Sequence, residues 1–275
     1  MNKSLLTLAI AAIVLAGATS QANAQAPAGV QAVDLGLPSG TKWASCNIGA
    51  TAPEEYGNHY AWGETAPKED YSWATYKYAD GDSTKLTKYC NNAMWEYGEY
   101  YTDTEMTLEP EDDAATANWG EEWRMPTEEE WMELRDNCTF VWTRNGVRGS
   151  WVTSKTNGNS IFLPATGLYQ GEKYSTAGQW GHYWSASILR YDNARQARRF
   201  NVAQDGVHWS SNDRCHGRSV RAVYGRTNVS TDIDNPSAEE AVPARKVLRN
   251  GQMLILRNGI YYDLHGRILS LTSNP

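Results

Sequence analysis

Residues 123–142, WRMPTEEEWMELRDNCTFVW, constrain the fold of this chain more than any other stretch. They read as a tight loop feeding an acidic helix, with tryptophans before, inside and after it. Thr127 can cap that helix through its hydroxyl while Glu130 reaches back. This is the reciprocal T-x-x-E box, which satisfies two backbone N–H groups that a helix start otherwise leaves orphaned. Trp131, Leu134 and Cys138 then recur at helical spacing and define one buried stripe.

Residues 1–24 read as a secretory signal. Lys3 is the charged start, residues 5–15 the apolar core, and Ala22-Asn23-Ala24 a small-x-small cleavage site before Gln25. The apolar run is too short for a membrane span, which takes roughly 20 residues. Ala18 follows Leu15-Ala16-Gly17, where a lipoprotein would carry cysteine. A secreted or cell-surface location is therefore expected. Cleavage removes one lysine and no acid, moving the formal charge from -7 to -8. An acidic chain lacks the Lys and Arg patches that nucleic-acid phosphates demand. A mean hydropathy of -0.61, with no later long apolar run, excludes a membrane-embedded helical domain.

The charge is uneven. Residues 54–136 hold 22 acids and 6 bases, a balance of -16, whereas residues 137–226 hold 4 acids and 12 bases, a balance of +8. Either the two halves face and neutralise each other, or the first half holds an acidic cation site; a lone segment of such charge repels itself. Four cysteines, Cys46, Cys90, Cys138 and Cys215, form no C-x-x-C pair, which argues against structural zinc. In an exported chain they can form disulfides, and four cysteines allow three pairings.

After a short leader, the main domain is expected over 32–225. Residues 41–46 read as a strand, and Thr51-Ala52-Pro53-Glu54 as a second capping box on a short helix. Residues 68–108 are Tyr-rich without periodicity and read as elaborated loop. A brief helix follows, with Pro110 near its start and Gly120 past its end. From Val147 the pattern switches to period two. SWVTS and SIFLP are joined through Asn157-Gly158, a strong hairpin signal, and strands are expected over 183–187, 195–202, 207–209 and 219–224. Few helices followed by many antiparallel strands give an α+β class. Residues 227–244 read as a polar linker. In 245–275, turns at Asn250-Gly251, Asn258-Gly259 and His265-Gly266 punctuate a small β meander.

Several ordered strings carry a family likeness: VDLGLPSGTKWASCNIGA, AWGET, DDAATANWGEEWRMPTEEEW, IFLPATG, YWSAS and GRSVRAV. Together they resemble the Fibrobacter succinogenes major paralogous domain, a family of exported bacterial proteins, over most of the mature chain. RMPTEEEW and SVRAV are also similar to motifs of the sulfatase-modifying, formylglycine-generating family. That likeness implies a C-type-lectin-like α+β fold whose two ends meet in one small sheet. Formylglycine-generating enzymes oxidise a substrate cysteine with two neighbouring cysteines and copper. Here NDRCHGRSVRAV holds Cys215 alone, so the resemblance implies the scaffold without that catalysis. The last 30 residues resemble the sorting tails of type IX secretion substrates, which implies the secretion machinery as a partner.

Individual sites read as follows. Asp80-Gly81-Asp82 opens like a calcium loop, but Lys85 and Asn91 stand where an EF-hand needs Gly and Glu. Glu109, Glu111, Asp112 and Asp113 cluster, and Glu109-Pro110-Glu111 resembles the E-P-N triplet of calcium-dependent lectins. Asn118-Trp119-Gly120 follows rather than the W-N-D of those lectins, and acids at a helix start are favourable against its dipole, so helix capping is the reading preferred over calcium. No nucleophile elbow, metalloprotease or nucleotide motif occurs, so neither catalytic residue, cofactor nor metal is expected. Trp (12) and Tyr (16) far outnumber Phe (3). Trp43, Trp62, Trp123 and Trp131, inside the family strings, are expected in the core. Tyr169, Tyr174, Trp180 and Trp209 lie in Gly- and Ser-rich loops of the second half, and are the candidates for stacking on a ligand. Cys46 and Cys138 are the candidate disulfide. The expected function is a non-catalytic extracellular recognition module for a glycan or surface protein. The alternatives are an oxidoreductase-like relative of formylglycine-generating enzymes and a structural component of a surface assembly.

Overall fold

A computed structural model of the chain describes residues 25–90, 94–96, 99–101, 106–189, 195–225, 245–249, 252–257, 260–262 and 268–269. The signal, the linker and the tail turns at 250–251, 258–259 and 265–266 lie outside the described residues. The chain divides into two units, Met1–Arg226 and Thr227–Pro275. It is sheet-rich with few helices, an α+β class.

The first unit opens with β1 (Ala32–Asp34), β2 (Lys42–Ala44) and β3 (His59–Tyr60). A 3-10 turn at Trp73–Thr75 precedes the hairpin of β4 (Met94–Glu96) and β5 (Glu99–Tyr101). A second 3-10 turn, Pro110–Asp112, leads into α1 (Ala114–Trp119), β6 (Trp123–Arg124) and α2 (Glu128–Asn137). Strands then dominate: β7 (Cys138–Asn145), β8 (Val147–Ser154), β9 (Ser160–Pro164), β10 (Leu168–Gln170) and β11 (Lys173–Ser175). They continue with β12 (Trp180–Ile188), β13 (Gln196–Ala203), β14 (Gly206–Asp213), β15 (Arg218–Ser219) and β16 (Val223–Tyr224). In the second unit, β17 (Arg245–Arg249), β18 (Gln252–Arg257), β19 (Ile260–Tyr262) and β20 (Ile268–Leu269) pair antiparallel in sequence order, a four-stranded meander.

The central sheet of the first unit runs β14-β13-β12-β15-β3. A second sheet, β1-β2-β16-β6, brings the two ends of the unit together. Successive strand residues point to opposite faces, so the central sheet separates two cores. On one face Tyr183, Phe200 and Val202 pack with Trp43, Trp131, Leu134, Cys138 and Val152. On the other, Trp184, Ala186 and Ala197 pack with Trp62, Tyr60, Tyr71, Tyr76 and Tyr89. Trp43, Trp62, Trp123 and Trp131 are all buried, as their place in the sequence strings suggests.

The helix-start box forms. Glu130 N–H donates to Thr127 Oγ1 at 3.3 Å and Thr127 N–H to Glu130 Oε2 at 2.9 Å. The same carboxylate accepts both Arg124 terminal nitrogens, at 2.5 and 2.6 Å, and the Thr41 hydroxyl at 3.0 Å. Burial opposes its charge, but these donors hold its pKa below the usual range. One residue thus caps α2 and ties it to β6 and to the start of β2.

Four expectations are corrected. Thr51-x-x-Glu54 starts no helix; Glu55 instead closes a turn, accepting Thr51 N–H at 2.7 Å and Ala52 N–H at 3.3 Å. The stretch 68–108 is more than loop. Its Tyr71, Tyr76, Tyr78 and Tyr89 are buried and supply much of one core, their hydroxyls satisfied by His59 O, Trp62 O and Asp112. A segment folded by tertiary contacts alone has no reason to show periodicity. Cys46 and Cys138 do not pair: both are free and buried, in different core clusters, with Cys46 Sγ 3.3 Å from Ala50 O. The aromatic candidates sit on strands rather than in loops: Tyr169 on β10, Tyr174 on β11, Trp180 on β12 and Trp209 on β14.

Candidate functional site

The four aromatic candidates fall into three separate settings. Tyr169 and Tyr174 stack on each other with centroids 4.7 Å apart, and His59 edges both rings at 5.2 and 5.5 Å. Tyr174 O–H donates to Thr166 O at 2.7 Å. Each ring spends one face on the other, while Tyr174 stays 39% exposed. Trp209 is also engaged: its Nε1 donates to Glu128 Oε1 at 2.7 Å and the Arg198 guanidinium lies 5.9 Å from its ring centre. Arg198 also pairs with Glu128 at 3.2 Å, which joins the basic half of the chain to the acidic half.

Trp180 differs. It is half-buried and lines an open cleft of about 520 Å³ with Gln179, Ala203, Gln204 and Asp205. Its position follows from strand pairing, with Trp180 opposite Ala203 across β12 and β13. Gly181 permits this start: a side chain there would lie 2.6 Å from Val202 Cγ2 and 2.7 Å from Pro164 O. The preceding turn is strained at Thr176, whose φ of 60 is unusual for a β-branched residue. It is held there by N–H groups of Gln179 and Trp180, each 3.0 Å from Thr176 O.

Alternation along β12 puts Trp180, His182 and Trp184 on one face, next to Ala203, Asn201 and Arg199 of β13 and then His208 and Ser210 of β14. Trp180 stacks on His182 (6.0 Å, 8°) and tilts against His208 (5.2 Å). His208 Nε2 lies 3.0 Å from Asp205 Oδ1. His182 Nδ1 lies 2.8 Å from Asn201 Oδ1 and 3.2 Å from Arg199 Nη1, and its Nε2 lies 3.3 Å from Thr176 Oγ1. The sequence reading missed His182, Arg199, Thr176 and His208. Starting the strand at Tyr183 hid the period-two pattern of Trp180, His182 and Trp184 that would have exposed them.

Burial, then the positive charges of Arg218 and Arg199, push the His182 pKa down to about 3; burial likewise takes His59 and His216 to about 4. All three are neutral in the folded protein at neutral pH. An unfolded histidine titrates near 6.5, so between about pH 6 and 4 the unfolded chain binds more protons and stability falls on acidification. Each such histidine contributes a slope of at most about 1.4 kcal/mol per pH unit. His182→Gln is expected to lower the slope of unfolding free energy against pH in this window by up to that amount. An unchanged slope in urea melts from pH 4 to 6 would show that His182 is not held neutral.

The acidic cluster offers a different picture from a cation site. Lys88 Nζ bonds Glu109 and lies 2.7 Å from Asp112 Oδ2 and 3.7 Å from Glu111 Oε1. Asp112 also pairs with Lys77 at 2.8 Å and accepts the Tyr89 hydroxyl at 2.7 Å. Asp113 caps α1, accepting from the Ala115 and Thr116 N–H groups, and takes the Met125 N–H on its other oxygen. Two lysines, Lys77 and Lys88, thus pair with Glu109, Glu111 and Asp112, whose carboxylates lie close together, while Asp113 serves as a cap.

Cys215 is buried, and burial pushes its thiol up to about 12; Cys138 rises to about 11 for the same reason. Reactive and metal-ligating cysteines are thiolates in electropositive, partly exposed places, and these thiols are the reverse. Among the described residues no helix is long and apolar enough to cross a membrane. Comparison of the chain with protein-family models, with curated proteins and with solved structures finds no match.

Proposed function

We propose that this chain is an exported, non-catalytic recognition module that binds a glycan at the Trp180 cleft. The observation that carries the reading is a half-exposed indole at the wall of an open cleft whose other side chains, Gln179, Gln204 and Asp205, are exposed hydrogen-bonding groups. An aromatic face covers the apolar C–H face of a sugar ring, while amides and a carboxylate select its hydroxyls. The strain at Thr176 beside it fits a binding turn. The reading places the first unit in the Fibrobacter succinogenes major paralogous domain family with a C-type-lectin-like fold. Its support is the family strings and the sheet in which both ends of the unit meet. The buried thiols with raised pKa favour this reading over formylglycine-type oxidation.

A glycan array should show binding, and Trp180→Ala should weaken it about thirtyfold, roughly 2 kcal/mol, as for removal of a central aromatic anchor. Tyr169→Ala and Trp209→Ala should leave the affinity within a few-fold, because those rings are committed to internal partners. Unchanged affinity in Trp180→Ala would move the site elsewhere.

The signal-like residues 1–24 and the β meander support export followed by sorting through a type IX system. Deleting residues 245–275 is expected to leave the protein in the periplasm. Normal arrival of the truncated chain at the surface or in the medium would refute the sorting role.

A further inference from the structure

Among the described residues three arginines are fully buried, Arg214, Arg218 and Arg221, and their surroundings differ sharply. Arg221 is fully served, with Nε donating to Asn47 Oδ1 at 2.8 Å, Nη1 to Ala44 O at 2.9 Å and Nη2 to Phe162 O at 2.8 Å. Arg214 is half served: Nη1 donates to Lys88 O and Tyr89 O, and the guanidinium lies 5.5 Å from the Trp62 ring centre. Arg218 lies 4.8 Å from the Trp184 ring centre, and its buried Nε and Nη1 have no hydrogen-bond partner. A buried polar group without a partner is rare, and a buried cation without one is rarer still.

A second guanidinium lies across β12 on the same face of the sheet, with Arg218 on β15 against the Trp184 ring and Arg199 on β13 in register with Trp184. Arg199 is half-buried on β13, opposite Trp184, and its charge and that of Arg218 repel. The partners of Arg199 are all neutral: His182 Nδ1 at 3.2 Å, Asn201 Oδ1 at 3.3 Å and Ser210 Oγ at 3.5 Å, while its Nε is buried with none. His182 cannot serve both contacts of its Nδ1, since one ring nitrogen either donates or accepts. The carboxylate whose charge bears on Arg218 is Asp213, and its Oδ2 already lies 3.3 Å from Arg195 Nη2 and 3.4 Å from Trp73 Nε1. Water could occupy the empty donor positions but would not neutralise the two cations. An oxyanion does both, and the planar guanidinium fork matches its geometry.

We infer that Arg199 and Arg218 form a receptor for the oxyanion of an acidic glycan, a uronate carboxylate or a sulfate ester. The inference rests on the Trp180 reading for the sugar, though not for the anion. The same sheet face carries both. Trp180 pairs with Ala203 and Trp184 with Arg199, and both side chains meet the same imidazole: the Trp180 ring stacks 6.0 Å from His182, and Arg199 Nη1 lies 3.2 Å from His182 Nδ1. Between them lie His182, Asn201 and His208, all polar. Trp184, His182 and Asn201 are buried, and the partly exposed side chains of this face are Arg199, His208 and Ser210, on β13 and the edge strand β14. A short oligosaccharide can stack one ring on Trp180 and deliver an acidic group to Arg199, with Arg218 supplying the uncompensated charge within.

The test uses the whole purified protein, a galacturonate hexamer, the same hexamer fully methyl-esterified, and sodium sulfate. The acid hexamer is expected to bind at least tenfold more tightly than its ester at fixed ionic strength, and Arg199→Gln should shrink that ratio below twofold. Sodium sulfate should raise the Tm of the wild type above that in sodium chloride of equal ionic strength, with a part that saturates with sulfate, and Arg218→Met should remove the saturable part and leave only the general stabilisation of any folded protein by sulfate. Without sulfate, Arg218→Met should hold or raise Tm, because an apolar chain replaces an unpaired buried charge. A clear fall would mean that the arginine is satisfied internally and would overturn the inference. Equal binding of acid and ester, lost in Trp180→Ala, would remove the anion receptor and leave the glycan reading standing. Sulfate stabilisation dependent on both arginines, with binding of neither hexamer, would keep the receptor and count against the sugar. No saturable response to sulfate and no preference for the acid would refute the inference outright.

Discussion

Trp131→Ala is expected to destabilise the protein by about 3–5 kcal/mol, the range for emptying a large aromatic site in a packed core. Trp131 is fully buried and stacks on Phe200 with centroids 4.5 Å apart and planes 12° apart. It also touches Trp43 at 4.6 Å and Tyr183 at 5.8 Å, and its Nε1 donates to Trp184 O at 3.3 Å. The one side chain therefore joins α2 to β2, β12 and β13. Its loss leaves a cavity lined by rigid rings that cannot collapse to fill it, and an orphaned carbonyl inside β12. Trp131→Phe should recover part of the stability by restoring the stack without the N–H bond. Urea denaturation followed by far-ultraviolet circular dichroism measures both; a loss under about 1 kcal/mol for alanine would mean that α2 is not the keystone of this core.

Arg221→Ala is expected to cost a similar amount, about 3–5 kcal/mol, by a different mechanism. Here the loss is not volume first but satisfaction. Three buried acceptors from separate segments, Asn47 Oδ1, Ala44 O and Phe162 O, each lose their donor. Arg221 stands two residues before β16, so the fork also anchors the strand that closes the two ends of the unit into one sheet. Arg221→Lys keeps a cation but cannot span three acceptors with a single ammonium, and should lose most of the same stability. If lysine proved as stable as arginine in urea melts, the fork geometry would be irrelevant. The contrast with Arg218→Met is informative: two arginines equally buried should respond with opposite signs, because one has its acceptors in place and the other has none.

What was legible from residue order was local. The α2 box needs only Thr127 and Glu130 three positions apart, and Trp131 and Leu134 of its stripe only the helical repeat, so both could be read directly; Cys138 opens β7 instead. The same holds for the Asn157-Gly158 hairpin, where Thr153 pairs with Ser160, and for the period-two run of β13. The core tryptophans Trp43, Trp62, Trp123 and Trp131 were legible because each sits inside one of the family strings, not because its neighbours are apolar. Thr51-x-x-Glu54 shows the limit of such signals. The motif was present, but Glu55 offered a competing acceptor and no apolar stripe followed to hold a helix on the core.

The rest was decided by pairings between distant segments. Nothing local in Tyr71, Tyr76, Tyr78 and Tyr89 indicates burial. They are core because β12 and its neighbours present Trp62 and Trp184 as a surface to cover, and because their hydroxyls find carbonyls and Asp112 there. Cys46 and Cys138 looked pairable, but the central sheet assigns them to different clusters. The candidate site depends on register above all. A slip of one residue between β12 and β13 would turn Arg199 to the opposite face from Trp180, since side chains alternate strictly along a strand. Residue order therefore determined which helices, turns and strands could form. Only the register of the assembled sheet decided which side chains would share a face, because their separation in the chain carries no information about their separation in space.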